Sequence, residues 1–252
     1  MSNLILMPVV FFISLVLTMV GLGGGLIFAP LFVVLDFDVG MAVSTSLFLN
    51  GIAAVGAAIT YLRKKMVDFR MALPLLITSS LSAPAGAFAV SGTDRRFFLA
   101  VLAGIVFVAA VRMLFSKRPQ AEIREVGAVW RVAGGTIIGL MIGLIAGFLG
   151  IGGGVFIVPL LIYLLRVPAK TAAATSIFIV VFSSFAGFLG HVSVDDVDWR
   201  FLSMAALFSF AGGQMGSRIM VKKLQGAAIK RVFGLVLLFF CLKLLHKMWI
   251  QM

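Results

Sequence analysis

The chain has 252 residues, 62% of them hydrophobic and 12% charged, with a formal net charge of +12. A soluble globule of this size would need more polar surface to cover its core, so the composition points to a protein dissolved in lipid. The surplus Lys and Arg lie in short loops between apolar runs, with no basic stripe or aromatic binding module beside them; membrane orientation explains them, and nucleic-acid binding is not expected.

The first apolar run, 4–20, lacks a basic n-region and a small-residue cleavage site, so it is expected to stay as a span and not to be removed as a leader. The segment GLGGGLIFAP follows at 21–30, and further apolar runs occupy 26–35, 41–62, 71–91 and 97–115. The second half repeats this order: a run at 132–149, GIGGGVFIVP at 150–159, then runs at 155–165, 171–190, 201–217 and 232–250. Thr45-Ser46-Leu47-Phe48 matches Thr175-Ser176-Ile177-Phe178, Asp68-Phe69-Arg70 matches Asp198-Trp199-Arg200, and Gly86 matches Gly216, at an offset of 129 or 130 residues. A duplicated glycine break inside two apolar halves is a transporter signature. The expected organisation is a first repeat at 1–116, a cytoplasmic linker at 117–131 and a second repeat at 132–252, each repeat with about five helical segments.

Most runs approach the ~20 residues that a helix needs to cross a bilayer. Those at 26–35 and 155–165 reach only about half of the ~30 Å hydrocarbon core, at ~1.5 Å per residue. They read as half-helices, and irregular backbone at membrane depth must be buried in protein or line a cavity. With the loop Arg63-Lys64-Lys65 taken as cytoplasmic, the loops 62–70, 112–131, 166–170 and 217–231 hold 16 of the 21 Lys and Arg. Equivalent loops change sign, 61–70 being basic where 191–200 carries Asp195, Asp196 and Asp198. The expected fold is therefore an all-α integral membrane protein made of two inverted-topology repeats.

Gly23, Gly24 and Gly25, with Gly152, Gly153 and Gly154, leave backbone N–H groups open to a ligand at the start of each half-helix, which makes them candidate anion-binding positions. The alternative is that these glycines only permit close packing, the role expected of Gly139, Gly143 and Gly147. No Lys-Ser or Lys-Thr follows either triplet, so neither is a phosphate loop. Hydroxyl clusters come next: Ser44, Thr45 and Ser46 with Asn50, then Thr171, Thr175 and Ser176 with Ser183 and Ser184. Such hydroxyls often bond their own helix, but Thr-Ser recurs in both repeats, and Thr45, Ser46, Asn50, Thr175 and Ser176 join the candidate site. Gln214, in place of Pro84, and Ser209 add weaker candidates. No Lys, Arg, Asp, Glu or His lies mid-span, so neutral dipoles would have to hold an anion. His191, opposite Tyr61 in the repeat, is expected to cap a helix end. Cys241 is the only cysteine, which excludes an intrachain disulfide or a Cys-rich zinc site; no metal or cofactor is expected.

Two GxGGG-(x)4-P elements in order, each followed by a Thr-Ser helix, Asp-(Phe/Trp)-Arg and a further Gly, resemble the TauE/SafE family of membrane permeases, the sulfite exporters. The resemblance implies a secondary transporter of a small sulfur-containing oxyanion such as sulfite or an organosulfonate, exporting it across the inner membrane, with the duplicated motif at the translocation site. Asn50 opposite Val180 and Pro84 opposite Gln214 break the symmetry of that site. The expected partners are the oxyanion and the lipid bilayer, with a homo-oligomer left open. An enzyme would need a nucleophile–base pair or metal ligands at membrane depth, which two histidines and one cysteine do not offer. A non-transporting scaffold is the alternative, and it leaves a duplicated helix break without a purpose.

Overall fold

Long apolar stretches without interior charge satisfy their backbone polar groups within a helix, the only open-ended element that lipid tolerates. The computed structural model describes residues 2–35, 37–89, 128–163, 165, 167–192 and 199–225, with scattered positions between 100 and 111 and between 227 and 242. Among the described residues there is no strand, and eight helices follow in order: α1 (Ser2–Val20), α2 (Gly25–Val34), α3 (Val39–Arg63), α4 (Phe69–Phe88), α5 (Ala128–Leu149), α6 (Gly154–Tyr163), α7 (Ala169–Val192) and α8 (Trp199–Lys223). These correspond to eight of the ten apolar runs. The runs at 97–115 and 232–250 fall mostly outside the described residues, as does the loop 193–198.

Helices α3, α4 and α7 are long and apolar enough to cross a membrane. The two segments expected to be half-helices are ten residues each. Asp38 starts α3 by accepting the Gly40 N–H at 3.0 Å, and Asp68 starts α4 by accepting from Arg70 and Met71 at 3.0 and 3.3 Å. The Asp-Phe-Arg motif is thus a helix cap in the first half.

Packing follows a reciprocal pattern. The first helix of each half lies along the fourth helix of the other, α1 on α8 and α5 on α4. The third helix does the same, α3 on α8 and α7 on α4, while α3 and α7 pack on each other. One apolar core cluster draws residues from both halves, Leu17, Phe28 and Leu47 together with Leu149, Val158 and Ile177. Among the described residues, neither half has a core cluster of its own.

Polarity is distributed as lipid requires. Ser14, Thr18, Ser46, Asn50, Ser176, Ser184 and Ser209 are buried, whereas Phe69, Leu73, Ile77 and Leu81 form an exposed ridge at four-residue spacing along α4. Small residues bring the helix backbones close. A Cβ on Gly143 would lie 2.7 Å from the Ser79 Cα and overlap the Ser79 carbonyl, and one on Gly147 would overlap that of Ala83. Gly143→Ala should therefore push α5 off α4 and lower stability by about 1–3 kcal/mol, the usual range for overpacking. Gly104→Ala, where no described residue lies within 4 Å, should be neutral in the same thermal unfolding measurement in detergent.

Candidate functional site

Breaking a helix in apolar surroundings frees carbonyls on one side of the break and N–H groups on the other, and each needs a partner. The sequence supplies those partners partly from the opposite half and partly from the same one. Ser46, on α3, donates to the Gly150 carbonyl at 2.7 Å; its repeat mate Ser176, on α7, donates to the Gly21 carbonyl at 2.9 Å. Tyr61 donates to the Thr18 carbonyl at 2.9 Å, and its mate His191 lies 3.4 Å from the equivalent Gly147 carbonyl.

The breaks also press directly on one another. A Cβ on Gly25 would sit 2.7 Å from the Gly150 carbonyl oxygen, and one on Gly154 would sit 2.9 Å from those of Gly21 and Leu22. Gly23 and Gly152 hold φ of +82° and +67°, in the left-handed region, and both face Asn50, so a side chain at either would be strained and would collide. Gly24, at φ −145°, is in no such region, whereas its mate Gly153 is at +82°.

Asn50 breaks the symmetry. Its Oδ1 accepts the N–H groups of Gly24 and, at 2.9 Å, Gly25, while its Nδ2 donates to Ser184 at 2.8 Å and to the Ile151 carbonyl at 3.4 Å. One buried carboxamide thus ties the amino end of α2 to the break before α6. The mate of Asn50 is Val180, which offers no acceptor. Among the described residues, the N–H groups of Gly153 and Gly154 find none.

Most of the candidates named from the sequence come together here: Gly23, Gly24, Gly25, Ser46, Asn50, Gly152, Gly153, Gly154 and Ser176 form one buried cluster midway along α3 and α7. Thr175 lies beside it but turns away, accepting the Asp68 N–H at 3.0 Å. Thr45 is buried next to Ser46, and Asp198, the mate of Asp68, is outside the described residues. Gln214 is not in the cluster; its Oε1 accepts from Thr60 at 2.6 Å, ten residues further along α3 than Asn50. The cluster adds Ser183, donating to the Gly152 carbonyl at 3.0 Å, and Ser184. Their place one turn beyond Val180 was the available signal.

The sequence pattern of the sulfite exporter TauE/SafE family matches residues 6–244. The chain belongs to this family. Its relatives include YunE of Bacillus subtilis, named a probable membrane transporter protein, 26% identical over 98% of each chain. A protein of the same description from Xylella fastidiosa strain 9a5c is 24% identical over 94% of this chain and 92% of its own. MJ0441 of Methanocaldococcus jannaschii, also so named, is 24% identical over 76% and 74%. No solved structure shows significant similarity to the chain. Membership makes this TauE/SafE protein a membrane transporter.

The reciprocal bonds predict matched losses. Ser46→Ala and Ser176→Ala should each lower stability by about 1–3 kcal/mol, because each leaves a buried carbonyl unpaired. Asn50→Val strips four partners at once and should lower it more than either in thermal unfolding of the purified protein.

Proposed function

We propose that this TauE/SafE protein carries a small sulfur-containing oxyanion, sulfite or an organosulfonate, across the cell inner membrane as a multi-pass permease, with the anion seated at the amino end of α6. The observation that carries this reading is the difference between the two arms. At α2 the carboxamide oxygen of Asn50 occupies the place an anion oxygen would take. At α6 the N–H groups of the buried Gly153 and Gly154 have no acceptor among the described residues, and Gly152 just before them lies against the Ser184 hydroxyl and the Asn50 amide. A helix amino end favours negative charge, and donors held in dry surroundings bind it without a basic side chain.

Neutral donors suit an anion of low charge, because a polyanion would lose more hydration than they return. Sulfite near neutral pH can carry a proton itself, so coupling can travel with the substrate and needs no buried acid. Export is the direction that the family description supports. The reciprocal contacts and the sign change between loops 61–70 and 191–200 support inverted halves related by an axis in the membrane plane.

Sulfite flux through purified protein in liposomes tests the function. Gly153→Val puts a strained side chain at φ +82°, with its Cβ 2.9 Å from Ile142, distorts the break before α6 and should abolish flux. Ser184→Ala should weaken sulfite binding, read by thermal shift, about tenfold or more, the worth of one hydrogen bond to a charged group. Wild-type flux by Gly153→Val would remove the seat from α6. Single cysteines at Lys65 and Asp195, in a Cys241→Ser background, should react with an impermeant reagent from opposite faces; labelling from one face would sink the inversion.

A further inference from the structure

Outside the buried cluster, a cavity of about 450 Å³ opens between the α3–α4 loop and the start of α7, lined by Lys65, Met66, Val67, Asp68, Phe69, Arg70 and Thr171. Lys65 and Arg70 are exposed, and among the described residues neither has an acid within ion-pair distance. The Asp68 carboxylate belongs to the same cavity, but its Oδ1 is engaged by the N–H groups of Arg70 and Met71. Two cations with no acid partner among the described residues therefore line a space much larger than sulfite.

Lys65 stands where the backbone calls for glycine. Helix α3 ends with the Met66 N–H on the Tyr61 carbonyl and the Lys65 N–H on that of Leu62, both at 3.0 Å, and this closure places Lys65 at φ +53°. Glycine is the usual residue there, and a lysine is strained by its Cβ. Orientation in the membrane does not explain the choice, since Arg63 and Lys64 already supply positive charge and a lysine one position away would add as much. Backbone strain of this kind clusters at ligand-contacting sites.

One lining residue shares a helix with the buried cluster. Thr171 is one helical turn before Thr175, whose hydroxyl oxygen holds the Asp68 N–H, and Ser176 next to it holds the Gly21 carbonyl. In the sequence the counterpart of Lys65 is Asp195, followed by Asp196, so the equivalent loop of the second half would repel an anion.

We propose that this cavity is a waiting site for the transported oxyanion, where Lys65 and Arg70 collect it from the cytoplasmic side before it passes along α7 to the glycine breaks. The inference rests on the transport reading above.

The test is sulfite flux in liposomes of phosphatidylcholine alone and with added phosphatidylglycerol. Wild-type flux establishes transport independently of the waiting site, and its absence would instead defeat the transport reading. Lys65→Gly removes the charge but gives the helix end its favoured residue, so melting temperature should hold or rise. KM should rise about fivefold at low salt with kcat unchanged, the upper range for one exposed charge, and Arg70→Gln should do the same. Near ~1 M inert salt, where the Debye length is ~3 Å, wild type and variants should converge. Unchanged KM in both variants at low salt would overturn the proposal. So would an effect seen only with phosphatidylglycerol, which would make the cavity a lipid headgroup site.

Discussion

The structure depends on a debt common to both halves: each chain break inside an apolar bundle exposes carbonyl and N–H groups that neither lipid nor side chains of its own segment can satisfy. Each such group left bare costs several kcal/mol in hydrocarbon. Two breaks placed against each other settle this together. Ser46 reaches Gly150, Ser176 reaches Gly21, and the glycine backbones of one break close on those of the other. The crossed packing of α1 on α8 and α5 on α4 follows, since each break must be delivered to helices of the opposite half.

This arrangement sets the scale of motion. Ser46, Ser176, Ser183 and Asn50 make eight bonds to the breaks or across them, each worth about 1 kcal/mol net. Parting the arms with nothing in their place would cost more than the few kcal/mol that separate exchanging conformations. Bonds to a charged ligand are worth about 1.5–3 kcal/mol each, so an anion entering between the arms can offset several of those lost. Under the proposed function, the same side chains that keep the empty protein shut are the ones a substrate must win over.

How much of this was legible in the sequence differs by element. Helix positions follow from hydropathy because lipid leaves a spanning chain no alternative to helix, and the ten-residue arms follow from the glycine runs and their short apolar tails. The clustering of Ser46, Asn50 and Ser176 with the glycines follows from spacing, since residues four apart share a helix face. What these side chains bond to did not follow. Ser46 and Ser176 read as free hydroxyls in a linear sequence, whereas their acceptors are carbonyls more than a hundred residues away. Gln214 and Thr175 were placed by their repeat position alone, and rotation about each helix turned them toward Thr60 and Asp68. A repeat alignment gives depth along a helix but not the direction in which an individual side chain leaves it.

The departures from symmetry say more than the symmetry does. Under the proposed function, a perfectly duplicated site would offer an anion two equal seats, and like charges in both would repel in a medium of low dielectric. Replacing one seat with the Asn50 carboxamide removes the competition, keeps the α2 amino end satisfied by a neutral group, and leaves its Nδ2 pointing at Ser184 on the other side. Val180 at the matching place keeps the α6 end unfilled. The pair breaks the symmetry together: asparagine closes the first arm with a neutral carboxamide, and valine offers the second no such group, the difference on which the proposed seat rests.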